Sequence, residues 1–342
     1  MSSATVHTDH PENAGPPAPV PAAAEPPALR ERVTAAVQQR GALAVLVLVV
    51  IIASASSPTF ATWPNISSIL GNNAFIWLLA LGMTFVITTG GIDLSVGSLY
   101  ALGGVLAARG AQTGTWLAIV LPIAVCAAWG ALQGLLVARA KMAPFIVTLA
   151  GLLGARGLLQ ALTQEGTNTY LVPVKSAFRN LGAGVWPPVL IVGALFILGA
   201  VLMTRTRFGA TLTAIGGNEN AARLMGLPVA RTKVMVYLLS GTLAGAAGAL
   251  GASRLGSGVT TIGVGYELTA IASVVIGGTL LTGGQGSVAG TLCGVLLLAV
   301  IHNLIDQHFS QYGSAFTDAV NGGFLALVVL LQAGLSRTRR LT

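Results

Sequence analysis

Apolar residues in this chain form long runs that are separated by short polar or glycine-rich stretches. At about 20 apolar residues per membrane crossing, the pattern predicts ten helices, over 41–60, 69–89, 94–109, 115–138, 144–163, 187–204, 234–252, 267–282, 287–305 and 316–335. The third and eighth runs are short, so the expected count ranges from eight to eleven. The predicted fold is an all-α polytopic membrane protein.

The basic residues predict the orientation of these helices. With the N-terminus in the cytoplasm, thirteen of the 18 Lys and Arg residues lie on the cytoplasmic side and four lie outside. This bias is typical of cytoplasmic loops, so both termini are expected to be cytoplasmic. Residues 1–40, rich in Pro and Ala, are predicted to form a disordered tail, residues 41–335 the transmembrane domain, and 336–342 a short basic tail.

Composition narrows the class of protein and excludes several kinds of site. Hydrophobic residues make up 54% of the chain and charged residues 8%, and the mean hydropathy is +0.80, which is unlike a soluble domain. The pI of about 10.2 is explained by the basic residues at the ends of the apolar segments. Lipid rather than nucleic acid is therefore the expected partner. Two cysteines in apolar runs and four scattered histidines predict neither disulfide nor metal site.

The stretch from Thr88 to Ser98 interrupts two apolar runs with glycines and a carboxylate. Gly90 and Gly91 can adopt the positive φ that ends a helix, and Asp93 can cap a new helix that begins at Leu94. An acidic side chain deep in a membrane helix costs roughly 2.5 to 3.5 kcal/mol, whereas a helix N-terminus returns only about 0.3 to 1 kcal/mol. Asp93 therefore needs water, a partner, a proton or a place near the membrane edge.

Two interpretations of this break remain open: a structural cap at a tight turn, or a direct role in transport or gating. If the break has a direct role in transport, polar groups in or beside the apolar runs would line a translocation path or gate. The candidates are Asn72, Asn73, Thr88, Thr89, Gly90, Gly91, Asp93, Ser95 and Ser98, with Thr148 and Asn303 as further polar positions. The same residue types also serve as hydrogen bonds between membrane helices.

The longest cytoplasmic loop, 205–233, contains the pattern of a capped miniature helix. Asn218 supplies the N-cap, Glu219 suits the first turn, Gly226 suits a left-handed end and Pro228 prevents continuation. Two turns are too short to be stable alone. Either a partner docks on Leu224, Met225 and Arg223 beside the small Ala221 and Ala222, or the helix packs on its own loop or on the membrane surface.

The chain has no motif for using ATP itself. None of its three lysines stands in a P-loop, and its spans carry neither a nucleophile with a base nor paired carboxylates. Uphill transport would need another subunit that hydrolyses ATP, or an ion gradient with Asp93 as the proton or sodium site. An enzyme is not expected.

Three motifs together resemble the permease subunits of bacterial ABC importers for monosaccharides, the ribose, xylose and galactose transport family. They are Thr89-Gly90-Gly91-Ile92-Asp93-Leu94-Ser95-Val96-Gly97-Ser98, then Gly216-Gly217-Asn218 with Ala221-Ala222-Arg223-Leu224 and Gly226, then Gly277-Gly278-Thr279 with Gly283-Gly284-Gln285-Gly286-Ser287. The resemblance spans residues 41–335. It departs from many ABC permeases at Asn220, which replaces a Glu, and at Ala210, where an Arg often follows Gly209.

The resemblance implies a permease of the bacterial inner membrane that forms a homodimer, binds two cytoplasmic ATPase subunits and receives sugar from an external binding protein. ATP and Mg would be held by the ATPase, and the chain itself would bind no cofactor. The coupling segment would be Gly216, Gly217, Asn218, Glu219, Asn220, Ala221, Ala222, Arg223, Leu224, Met225 and Gly226. A branched-chain amino acid or a nucleoside remains an alternative substrate.

Overall fold

The computed structural model describes residues 29–309 and the single positions 313, 316, 319, 320, 322 and 323. Residues 29–309 form eleven α-helices and one 3₁₀ helix, Ala177–Leu181. The α-helices are α1 (Leu29–Ser56), α2 (Trp63–Thr88), α3 (Val96–Ala111), α4 (Thr115–Ala138), α5 (Pro144–Leu162), α6 (Trp186–Arg205), α7 (Arg207–Gly217), α8 (Glu219–Leu224), α9 (Val229–Leu255), α10 (Tyr266–Ile276) and α11 (Val288–Phe309).

Six of the described helices are long and apolar enough to cross a membrane. They lie at Trp63–Thr88, Thr115–Ala138, Pro144–Leu162, Trp186–Arg205, Val229–Leu255 and Val288–Gln307. This confirms an all-helical, polytopic membrane protein. The predicted count of about ten crossings is not confirmed.

Nine of the ten predicted segments overlap one of the eleven α-helices. The tenth, 316–335, lies outside the continuously described chain, as do most of the predicted N-terminal tail and the basic segment 336–342. α1 begins at Leu29, inside the stretch predicted to be disordered. α3 begins at Val96, two residues later than predicted, because a turn at Leu94 and Ser95 precedes it.

Helix α9 lies at the centre of the bundle and packs against α2, α3 and α4. Glycines permit this contact, since a β-carbon on Gly103 would lie 3.1 Å from the α-carbon of Gly245. Helix α3 is enclosed on all sides: fifteen of its 16 residues are buried, Arg109 being the exception. Small residues thus bring the backbones together, as is typical of membrane helices.

Two non-helical segments enter the bundle from opposite ends. Residues 89–95 lead inward from the end of the bundle that carries α7 and α8, and Asp93 in this segment bonds Ser240 of α9. Ser240 lies eleven residues after the start of α9, which is about 16 Å along a helix about 40 Å long. Residues 256–265 return from the other end of α9 until Gly263 meets Gly97. The N-termini of α3 and α10 therefore meet near the middle of the bundle.

Candidate functional site

The three glycine-rich motifs converge at one end of the bundle. The Gly284 amide donates a hydrogen bond to the Thr88 carbonyl oxygen at 3.0 Å, and a β-carbon on Gly283 would lie 2.7 Å from the Gly90 nitrogen. A β-carbon on Gly216 would overlap the Thr88 carbonyl oxygen and the Gly284 nitrogen. We call Thr88, Gly90, Gly216, Gly283 and Gly284 the glycine junction.

Backbone conformation and space both require glycine at this junction. Gly90, Gly283 and Gly284 have φ values of +79°, +84° and +81°, in the left-handed region that disfavours other residues. Gly91 does not adopt the positive φ that its sequence allows. Space is limiting there, because a β-carbon would lie 2.6 Å from the Tyr237 hydroxyl.

The predicted miniature helix is α8, and its predicted ends are confirmed. The Asn218 side chain accepts a hydrogen bond from the Ala221 amide at 3.0 Å, and Gly226 has a φ of +75°. Glu219 forms ion pairs with Arg223 at 3.0 Å and with Lys233 at 2.5 Å. The second pair ties α8 to the first turns of α9.

The segments on either side of α8 provide part of the support that such a short helix needs. Ala222 is completely buried in a small cluster with Ile215 and Val229. Ala222 therefore packs inside the chain, and the expectation that its small size lets a partner approach stays a prediction.

Apolar surface nevertheless remains on α8. Leu224 is 90% exposed and Met225 is 67% exposed, and Asn220 and Arg223 are exposed beside them. Between α7 and the start of α9 lies a cavity of about 730 Å³ whose lining includes Arg207. This end of the bundle combines exposed apolar side chains with positive charge.

Asp93 is completely buried and has hydrogen-bond partners. Its Oδ1 accepts from the Ser95 amide at 3.0 Å and the Ser95 hydroxyl at 2.6 Å, and its Oδ2 accepts from the Ser240 hydroxyl at 2.7 Å. The Ser95 oxygen also lies 3.2 Å from Gln133 Oε1. The carboxylate thus connects the 89–95 segment to α9, which favours the structural interpretation of this residue.

The other polar candidates of the break bond within their own helix turn or are enclosed. The Thr88 hydroxyl donates to the Thr84 carbonyl at 2.6 Å, and that of Thr89 donates to the Val86 carbonyl at 2.8 Å. Ser98 is 2% exposed.

Asn72, Asn73 and Asn303 lie at the opposite end of the bundle. They help to line a cavity of about 250 Å³ between α2 and α11. Asn72 also accepts hydrogen bonds from Arg254 at 2.7 and 3.0 Å, and Asn303 is paired with Asn65. Asn72 and Asn303 join separate elements at a site distant from Asp93, whereas the Asn73 amide donates to the Ile69 carbonyl oxygen of its own helix.

Sequence reasoning missed two features of the site. Helix α7, Arg207–Gly217, was included in a loop because it is too short and too polar for a membrane span. Arg156 lies within the predicted span 144–163 and was given no role, yet its guanidinium donates to the carbonyl oxygens of Thr260 and Ile262 at 2.8 and 3.2 Å. Its presence in an apolar run was the available signal.

Comparison with known proteins gives consistent results. Residues 65–333 match the family described as branched-chain amino acid transport system / permease component. The ribose import permease protein of Escherichia coli K12 is 42% identical over 273 residues, which cover 78% of this chain and 85% of the relative. The ribose import permease protein of Bacillus subtilis 168 is 41% identical over 300 residues, covering 86% and 92% of the two chains.

A third relative has a different sugar in its name. The fructose import permease protein of Bifidobacterium longum is 35% identical over 306 residues, with 85% of this chain and 89% of the relative covered. No solved structure shows significant similarity. From the family match and the extent of these alignments, the chain belongs to the branched-chain amino acid transport system / permease component family and is a multi-pass protein of the bacterial inner membrane.

Proposed function

We propose that this chain is the membrane-spanning permease subunit of an ATP-binding cassette importer for a monosaccharide. The observation that carries the proposal is the 41% identity over 300 residues with a ribose import permease. The family match over residues 65–333 includes the glycine junction and α8. A sugar is favoured over a branched-chain amino acid because the reported relatives are named for sugars.

The chain would supply the path, and a separate ATPase subunit would hold ATP and Mg. A substrate-binding protein would deliver the sugar from outside. We further propose that two copies of the chain pair in the importer, that both termini face the cytoplasm and that the membrane is crossed about ten times. This orientation places α7, α8 and the glycine junction on the cytoplasmic side, within reach of an ATPase.

Helix α8 is the proposed docking element. Its buried Ala222 and the Glu219–Lys233 pair hold it against α7 and α9, while Leu224 and Met225 project outward. Exposed apolar side chains on a short, fixed helix suit insertion into a groove of a partner. A movement of α8 would reach the membrane helices through α7, whose Gly216 belongs to the glycine junction.

Transport under this proposal changes no bond in the sugar. ATP binding and hydrolysis in the partner would shift α7 and α8, and the glycine junction would pass this shift to α2, α10 and α11. Asp93 would keep the 89–95 segment fixed to α9 during the movement. The ordered packing around the junction suits such transmission, since close-packed elements move as bodies rather than deform.

Affinity purification of the chain from its native membrane in mild detergent, followed by mass spectrometry, tests the proposal. We expect a stoichiometric P-loop ATPase and a sugar-binding protein among the partners. A permease that is isolated without an ATPase and takes up solute when a proton or sodium gradient is applied would contradict it.

A further inference from the structure

Two charged side chains lie deep in the bundle, where α3 and α10 begin. Arg156 is the thirteenth of 19 residues in α5, and Glu267 is the second residue of α10. A β-carbon on Gly97 would lie 2.5 Å from Glu267 Oε2, so this carboxylate reaches the first turn of α3. Both charged side chains are partly exposed rather than buried.

These two charges interact but do not neutralise each other by direct contact. Glu267 interacts electrostatically with Arg156, although no ion pair within 4.0 Å joins them in the described chain. The Arg156 guanidinium instead donates to two carbonyl oxygens of the 256–265 segment. Hydrogen-bonding capacity therefore remains on both side chains.

Three aromatic rings lie beside these charges. Phe75 stacks on Tyr100 with ring centroids 5.2 Å apart and on Tyr266 at 5.8 Å, and Tyr100 lies 5.5 Å from Tyr266. Tyr100 is almost completely buried, whereas Phe75 and Tyr266 are partly exposed. A β-carbon on Gly263 would lie 3.3 Å from Tyr100 Cδ1, and Gly263 also contacts the first turn of α3, which Glu267 reaches.

Partly exposed charges at this depth cannot face hydrocarbon at low cost. A charged side chain near the centre of a membrane costs roughly 2.5 to 3.5 kcal/mol on insertion scales, and such residues usually face a water-filled path. The non-helical segment 256–265 leads to the same conclusion, since irregular backbone at membrane depth is tolerated where it is enclosed in protein or lines a cavity. Both observations favour an aqueous path at this place.

We infer that Phe75, Tyr266, Arg156 and Glu267, with the buried Tyr100 packed behind the two exposed rings, form the site at which a monosaccharide contacts the translocation path. We call these five residues the midpoint cluster. The inference rests on the proposed function and adds to it the place of the substrate. It assigns the path to residues that the sequence did not single out, and it leaves Asp93 outside the path.

The chemistry of the midpoint cluster matches a sugar. The apolar C–H face of a sugar ring packs on an aromatic face, and its hydroxyl groups both donate and accept hydrogen bonds. Glu267 accepts hydrogen bonds and Arg156 donates them, so one hydroxylated ring can use both. A pocket that combines aromatic walls with a few convergent polar groups is typical of small-molecule sites.

Cysteine accessibility in the complete importer tests the inference. Tyr266→Cys is introduced together with Cys293→Ser, since Cys126 is buried and Cys293 is partly exposed. The importer, reconstituted with its ATPase and binding protein, is treated with a charged, water-soluble methanethiosulfonate reagent. We expect modification of Tyr266→Cys, slowed at least about three-fold by saturating D-ribose or D-fructose, whichever the wild type transports. Ile197→Cys, on a 68% exposed apolar position of α6, is the lipid-facing control and should not react.

A second variant removes the charge and keeps the shape. Glu267→Gln should lower sugar uptake about ten-fold, as expected for the loss of one charge-assisted hydrogen bond, while ATP hydrolysis stays within two-fold of the wild type. Unreactive Tyr266→Cys, modification that neither sugar slows, or normal uptake by Glu267→Gln would overturn the inference. A wild-type importer that takes up no monosaccharide in the presence of ATP overturns the proposed function itself, and the inference with it.

Discussion

Gly216 and Gly283 lie in direct backbone contact, because a β-carbon on Gly283 would come within 3.0 Å of the Gly216 α-carbon. Gly216 belongs to α7 and Gly283 to the connection between α10 and α11. The contact brings together two motifs that are 67 positions apart in the sequence, and Gly90 of the third motif lies against Gly283. The short helix α7 thereby gains direct contact with the membrane helices.

The two neighbouring glycines at the end of α7 provide a matched pair for testing this contact. A β-carbon on Gly216 would overlap two backbone atoms, whereas one on Gly217 would meet nothing within 4 Å. We expect Gly216→Ala to destabilise the junction by about 1 to 3 kcal/mol, as overpacking does, and to reduce uptake at least ten-fold. Gly217→Ala should retain uptake within two-fold. Equal uptake by the two variants, at equal amounts of inserted protein, would show that the contact is unimportant.

Exposed apolar residues of α8 should affect partner binding rather than folding. Replacing both Leu224 and Met225 with Ser removes side chains that are 90% and 67% exposed, so the melting temperature of the permease should change little. If each side chain inserts into a partner groove and contributes about 1 kcal/mol, the affinity for the ATPase should fall roughly 30-fold. Titration of the ATPase onto the detergent-purified permease measures this.

Val174, 84% exposed in the loop at the opposite end of the bundle, provides the control for that experiment. Val174→Ser removes a comparable exposed side chain and should leave ATPase affinity unchanged. A loss of affinity that is equal for Val174→Ser and for the α8 variant would point to a non-specific effect of surface polarity.

The hydrogen bond between Asp93 and Ser240 should be structural. Ser240→Ala removes one of three donors to a buried carboxylate and should cost about 1 to 3 kcal/mol. Asp93→Asn should cost a similar amount, and the two changes should be non-additive because they affect one contact. Thermal unfolding in detergent gives these values. Uptake per folded molecule should remain near normal, and its complete loss in well-folded Asp93→Asn would instead indicate a direct role in transport.

The ion pairs of Glu219 should make a small contribution. Its side chain is 39% exposed, so solvent limits the pair with Lys233 to about 1 kcal/mol or less. Glu219→Gln should therefore lower the melting temperature only slightly and should make it less dependent on salt. A large loss of folded protein would contradict this view, because it would mean that Glu219 stabilises more than α8.

The sequence predicts local features of this protein well. Nine apolar segments coincide with helices, and Asn218 and Gly226 delimit α8 as expected, because caps and hydropathy depend on neighbouring residues. The sequence does not predict how deep in the bundle a non-helical segment lies. Residues 256–265 fall between the predicted helices 234–252 and 267–282, yet they return to Gly97, and only tertiary packing determines this.

Packing also decides the roles of single residues. Ala222 packs against Ile215 and Val229 within the chain. The sequence pattern could not distinguish this contact from contact with a partner. Asp93 stabilises the turn before α3 through Ser95 rather than capping a helix at Leu94. Its bond to Ser240 joins residues 147 positions apart, a relationship that no local pattern contains.

ATP-dependent uptake in proteoliposomes tests the central claim most directly. The chain is reconstituted with its ATPase and binding protein, and uptake of labelled D-ribose, D-fructose and L-leucine is measured with ATP, without ATP, and with a proton or sodium gradient alone. The account predicts uptake of a sugar that requires ATP and both partners, with no uptake of leucine. Sugar or leucine uptake that a gradient drives in the absence of the ATPase would contradict it.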